Sequence, residues 1–125
     1  MLVEKKAFAQ LDWVTDEGHE AQTATLSNIE GIIERVDIII SSVTGNPTTN
    51  ITITDENSSQ IISFSTLADG TSHVKYGLSK GATDCDFNAT PVNNTTLTLS
   101  ADPSADAGGT SQTLTVDVIL YLRKK

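Results

Sequence analysis

The feature that most constrains the fold of this 125-residue chain is a regular alternation over residues 112–125. There, Leu114, Val116, Val118, Leu120 and Leu122 alternate with Thr115, Asp117, Ile119 and Tyr121. A period of two is typical of a β-strand with one buried face. A strand of this length needs other strands beside it, so the chain is predicted to be built from a β-sheet.

Shorter apolar segments, separated by Gly, Pro, Asn, Asp and Ser turns, repeat this pattern along the chain. The segments expected to be strands are 2–9, 20–26, 29–41, 50–54, 60–67, 73–78, 85–89, 95–100 and 112–125. Seven to nine short strands at this spacing indicate a sandwich, jelly roll or small barrel. We therefore expect an all-β fold, an antiparallel β-sandwich with a jelly-roll-like arrangement.

Two segments are harder to interpret. Within 29–41, the alternation places Ile32, Val36, Ile38 and Ile40 on one face, and Ile33 and Ile39 on the other. A short helix from Ser27 to Arg35 is an alternative, and the pattern of 12–25 indicates no element. For the domains, we expect an N-terminal arm or edge strand at 1–10 and one β-sandwich domain at 11–125.

The charge and the cysteine content exclude several classes of function. The net charge is −8, which repels the phosphates of nucleic acids and anionic lipids, so neither nucleic acid nor membrane is an expected partner. Cys85 is the single cysteine, which rules out an intrachain disulfide and a cysteine zinc site. The first residues lack the apolar run of a secretory signal, so synthesis in the cytoplasm is expected.

No combination of residues predicts catalysis. Asp55, Asn57 and Ser59 have the spacing of a calcium loop, but the glycine and glutamate that such a loop requires are missing, so a polar hairpin is expected. The carboxylates in 84–86 lack a third ligand nearby in sequence, and no motif surrounds His19 or His73. We expect neither enzymatic activity, nor a cofactor, nor a metal site.

Glycan binding is an alternative, because small β-sandwiches commonly use an aromatic platform to hold sugars. In this sequence only Trp13, Tyr76 and Tyr121 are candidates for such a platform. The prediction is therefore an alternative and not the main expectation.

The order of several motifs resembles that of small all-β virion proteins of tailed bacteriophages. The motifs are Trp-x-x-Asp-x-Gly at 13–18, IEGIIERV at 29–36, ITITDE at 51–56 and LTVDVILYLR at 114–123. The resemblance implies a capsid decoration or cement protein, with a neck or tail component as the alternative. It also implies location on the capsid surface, binding to the major capsid protein or other virion proteins, and a homo-oligomer such as a trimer.

A decoration protein needs a surface that attaches to its neighbours. The apolar and basic residues near the N-terminus form a plausible attachment arm, and Trp13 follows them. The predicted partner-binding residues are Leu2, Val3, Lys5, Lys6, Phe8 and Trp13.

Overall fold

The computed structural model describes residues 2–77 and 86–124. Its elements are β1 (Leu2–Ala7), β2 (Leu11–Val14), β3 (Gln22–Ile40), β4 (Thr48–Thr54), β5 (Gln60–Ala68), β6 (Thr71–Tyr76), β7 (Thr90–Pro103) and β8 (Thr113–Lys124). These eight strands pair antiparallel, which confirms the predicted all-β fold class. No helix in the described ranges is long and apolar enough to cross a bilayer.

The strands form one sheet in the order β1–β8–β3–β7–β4–β5, with β2 also on β8 and β6 also on β3. Strand β3 joins the two halves of this sheet. Its first part, to Ile33, pairs with β7, and its last part, from Ile32, pairs with β8. The β8 half of the sheet consists of β1, β2, β6, β8 and the end of β3. The β7 half consists of β4, β5, β7 and the start of β3.

The sheet curls so that both halves bury their inner faces in one aliphatic core. The β8 half contributes every second residue of β8, from Leu114 to Leu122, and each is fully buried. The β7 half contributes Ile51, Ile53, Leu97 and Leu99, which are also fully buried. Burial of these side chains provides the main favourable free energy of folding, at about 25 cal/mol per Å² of apolar surface.

The structure corrects the two uncertain predictions for residues 12–41. The segment from Ser27 to Arg35 is not helical, because it lies inside the 19-residue strand β3. Ile33 lies on the buried face with Val36, whereas Ile32 is only half-buried. The reason is a shift in pairing with β8 between Ile33 and Arg35, and such an irregularity reverses the alternation beyond it.

Strands β1 and β2 pair one after the other along the same edge of β8. Strand β2 lies in the region where the sequence pattern was uninformative, because it has only four residues. Trp13 in β2 is 4% exposed, and its indole Nε1 donates a hydrogen bond of 2.7 Å to the carbonyl oxygen of Glu20. This hydrogen bond ties the turn after β2 to the core.

The predicted hairpin at 55–59 is confirmed, since β4 and β5 pair on either side of it. The Oδ1 atom of Asp55 accepts hydrogen bonds from the backbone N–H groups of Asn57 and Ser59, at 2.9 and 3.0 Å. The Asp55 carboxylate therefore shapes the turn itself.

Candidate interaction face

The candidate site is the solvent side of the β8 half. Because the even-numbered residues of β8 point into the core, its odd-numbered residues point outward, together with their cross-strand partners. We call this surface the outer face. Its rows, named by their β8 residue, are Lys5–Tyr121–Arg35–Tyr76 (the Tyr121 row), Ala7–Ile119–Asp37–Val74 (the Ile119 row) and Asp117–Ile39–Ser72 (the Asp117 row).

Arg35 organises the Tyr121 row. Its Nε and Nη2 atoms donate hydrogen bonds of 2.8 and 2.9 Å to the two carboxylate oxygens of Asp37. Its guanidinium carbon lies 4.6 Å from the ring centroid of Tyr121 and 5.8 Å from that of Tyr76. The hydrogen bond with Asp37 raises the pKa of Arg35 above its ordinary value. The row is therefore a fixed aromatic and ionic cluster spanning three strands.

The outer face also carries the exposed apolar side chains of the described chain. Three large hydrophobic residues are strongly exposed, namely Val3 at 55%, Ile39 at 41% and Val74 at 40%. Val3 lies on β1 opposite Arg123, and Ile39 and Val74 lie in the lower two rows. Apolar side chains grouped on one face of a small protein are typical of an interaction surface.

Charge is distributed unevenly over this face. Arg35 and Asp37 neutralise each other, and Arg123 forms an ion pair of 2.8 Å with Glu34. Lys5 in the Tyr121 row and Asp117 in the Asp117 row have no ion-pair partner within residues 2–77 and 86–124. The Asp117 carboxylate accepts hydrogen bonds from the neutral amide of Gln10, at 3.0 and 3.2 Å. One end of the face is therefore positive and the other negative.

The structure divides the six partner-binding residues predicted from the sequence. Phe8 and Trp13 are each 4% exposed and belong to the core, so their side chains offer little surface to a partner. Val3 and Lys5 lie on the outer face. Lys6 and Leu2 alternate with them in β1, and the Lys6 ammonium lies 4.0 Å from the Glu4 carboxylate.

The three aromatic residues considered for a glycan platform do not come together. Trp13 is buried, and its indole N–H is used within the chain. Tyr76 and Tyr121 do share the outer face, but the guanidinium of Arg35 lies against both rings. A sugar would have to compete with Arg35 for these rings.

The groups considered for catalysis are separate and serve the fold. His19 Nδ1 lies 3.2 Å from the carbonyl oxygen of Pro103, and His73 Nε2 lies 3.0 Å from that of Ala68. Asp86 exchanges hydrogen bonds with the backbone of Tyr76, while residues 84 and 85 lie outside the described residues. Within the described ranges, no three His, Cys, Asp or Glu residues could hold a metal ion together.

An open depression of about 490 Å³ lies at the end of the sandwich. Its lining residues are Ser42, Val43, Thr44, Asn46, Gln112 and Thr113. None of these six side chains titrates near neutral pH, and none is a strong nucleophile at that pH. The depression therefore lacks the groups that acid–base or covalent catalysis requires.

Sequence reasoning missed the outer face, although its signal is present in the alternation. Tyr121, Ile119, Arg35 and Ile39 stand at the outward positions of β8 and β3, where small polar residues would be ordinary. Their assembly into one surface depends on the register between β8, β3 and β6. That register cannot be deduced from any one strand.

No family model matches the chain, and no curated protein matches it. Among solved structures, the chain is similar to a structure of the Gx strain of infectious bursal disease virus. The sequence identity is 14% and the TM-score 0.44, and the match covers 98% of this chain and 32% of that one. For the Gt strain the identity is 11%, the TM-score 0.43 and the coverage 96% and 32%. For a VP2 subviral particle of this virus, the identity is 12%, the TM-score 0.40, and the coverage 97% of this chain and 33% of that one. The chain thus spans about a third of the length of these structures.

Proposed function

We propose that the chain is a non-enzymatic structural protein of a bacteriophage virion, a capsid decoration or cement protein that binds and stabilises the coat lattice. The outer face is its adhesive surface, and β1 forms one edge of that surface. The observation that carries this proposal is the exposure of Ile39 and Val74 on neighbouring strands of a single sheet face, with Val3 exposed farther along the same face.

Three further properties support it. The resemblance of the sequence motifs to small all-β virion proteins of tailed bacteriophages supports that setting. Its net charge of −8 favours solubility at the high local density of a particle surface. Its candidate catalytic side chains are engaged in turns and strand edges, as described above, whereas Ile39 and Val74 expose apolar surface on the outer face.

The copy number per particle tests this proposal. Quantitative mass spectrometry of purified virions should find the chain in hundreds of copies, as expected for a protein that covers a lattice. About six to twelve copies would instead identify a neck or tail ring. Absence of the chain from purified virions would reject a structural role in the particle.

A glycan array tests the alternative that the chain is a glycan-binding module. Because the aromatic platform is divided between the core and the Arg35 cluster, we expect no glycan to bind. Specific binding that is lost in Tyr76→Ala or Tyr121→Ala would overturn the proposal in favour of a glycan-binding module.

A further inference from the structure

We infer that the outer face packs against the outer face of a second copy of this chain, around a two-fold axis that crosses the strands at the Ile119 row. This inference rests on the proposed function, because the second copy covers the same adhesive surface in solution and the coat replaces it on the particle. A two-fold contact requires a surface that is complementary to itself.

The charges of the outer face meet this requirement. A two-fold axis along the Ile119 row places the Tyr121 row of one copy over the Asp117 row of the other. Lys5, which lacks an ion-pair partner among the described residues, then approaches Asp117 of the second copy, which also lacks one. The two residues occupy neighbouring strands, about 4.8 Å apart across the sheet, which a lysine side chain can span. The two-fold symmetry forms this contact twice, once from the Lys5 of each copy.

The apolar residues fit the same arrangement. Ile119 lies on the axis and meets its own counterpart, while Ile39 of each copy faces the Arg35 position of the other. Tyr121 comes to lie over Asp117, so its hydroxyl can donate a hydrogen bond to that carboxylate. Tyrosine and arginine near the centre of a contact, with single charges toward its ends, are typical of protein interfaces.

The size of the face predicts a weak dimer in solution. The face is four strands wide, at about 4.8 Å per strand, and five residues long, at about 3.4 Å per residue. Its area is therefore roughly 300 to 400 Å² per copy. A stable complex buries about 800 Å² per partner, so we expect a dissociation constant between about 10 μM and 1 mM.

Sedimentation equilibrium of the full chain, up to about 1 mM, tests the inference. We expect a monomer–dimer equilibrium that Lys5→Glu and Asp117→Lys each weaken about tenfold, since each creates two like-charge contacts. The double variant Lys5→Glu/Asp117→Lys should recover to within about threefold of the wild type. Asp117→Asn is the matched control, because its amide can still hydrogen-bond to Gln10, and we expect a smaller loss.

Ile119→Glu should abolish the dimer, because it places two carboxylates without a cationic partner on the axis, whereas Asp37 in the same row is paired with Arg35 of its own copy. If that variant does not fold, the variants of the exposed Lys5 still decide the matter. A wild-type monomer at about 1 mM, a trimer, or a dimer that none of these variants affects would overturn the inference. The copy number per virion is measured separately, so a monomeric chain present in hundreds of copies would leave the proposed function standing.

Discussion

The guanidinium of Arg35 lies 4.6 Å from the centre of the Tyr121 ring while it donates two hydrogen bonds to the carboxylate of Asp37. This arrangement joins β8 to β3 on the solvent side of the sheet, opposite the aliphatic core. It gives the outer face a rigid centre.

Removing this centre should destabilise the fold moderately. We expect Arg35→Ala to lower the free energy of unfolding by about 1 kcal/mol, because a partly exposed charge-assisted pair and its ring contacts contribute on that scale. Arg35→Lys keeps the charge but loses the planar fork, so its loss should be smaller. Urea denaturation measures both, and an Arg35→Ala variant as stable as the wild type would show that the cluster contributes nothing to stability.

Replacing Gly31, the glycine of β3, is predicted to destabilise the fold strongly. Its φ is +127°, and a Cβ atom there would lie 2.8 Å from the carbonyl oxygen of Arg123. Gly18 has a φ of +95° and nothing within 4 Å of the same atom, so it serves as a matched control. We expect Gly18→Ala to cost about 1 kcal/mol and Gly31→Ala at least about 2 kcal/mol more, by thermal or urea unfolding. Equal losses would contradict the close approach of β3 to β8.

Two neighbouring isoleucines in β3 test the orientation of the strand. Ile38 is fully buried, whereas Ile39 is 41% exposed on the outer face. Ile38→Ala should therefore lower the free energy of unfolding by about 2 to 5 kcal/mol, since it leaves a cavity. Ile39→Ala should change it by less than about 0.5 kcal/mol, as for a surface position. The reverse order would mean that the register of β3 is wrong.

Much of the fold can be predicted from the sequence, because apolar and polar residues alternate wherever a strand has one buried face and one exposed face. Strand β8 is the clearest case, and the turns at 55–59 and 43–48 also match their residue types. For strand β3, the prediction of which residues are buried was partly wrong. Its pairing shifts near Ile29, Gly31 and Ile33, so the side chains change faces along the strand and no single period describes it.

The candidate site was less predictable. The sequence predicts Trp13 as a contact residue next to the N-terminal arm, whereas in the structure its indole N–H donates a hydrogen bond to the carbonyl oxygen of Glu20 inside the fold. The sequence predicts Val3 and Lys5 in an arm, whereas in the structure they extend a face that also includes residues of β3, β6 and β8. Only the cross-strand register brings these residues together.

Trp13→Phe separates stability from binding. The change leaves the carbonyl oxygen of Glu20 without its indole donor and removes buried volume, so we expect a loss of about 1 to 3 kcal/mol in unfolding free energy. Binding to virus particles, measured below the unfolding temperature, should not change. A stable variant that no longer binds would return Trp13 to the list of contact residues.

The central claim is that the outer face is the adhesive surface, and binding of the purified chain to particles that lack it tests this most directly. Ile39→Glu/Val74→Glu alters the outer face, while Thr52→Glu/Ser63→Glu adds the same charge to a cross-strand pair on the solvent side of β4 and β5. By cosedimentation, we predict that the first variant loses at least about 100-fold in affinity and that the second binds like the wild type. Unchanged binding by the folded Ile39→Glu/Val74→Glu variant would contradict the account.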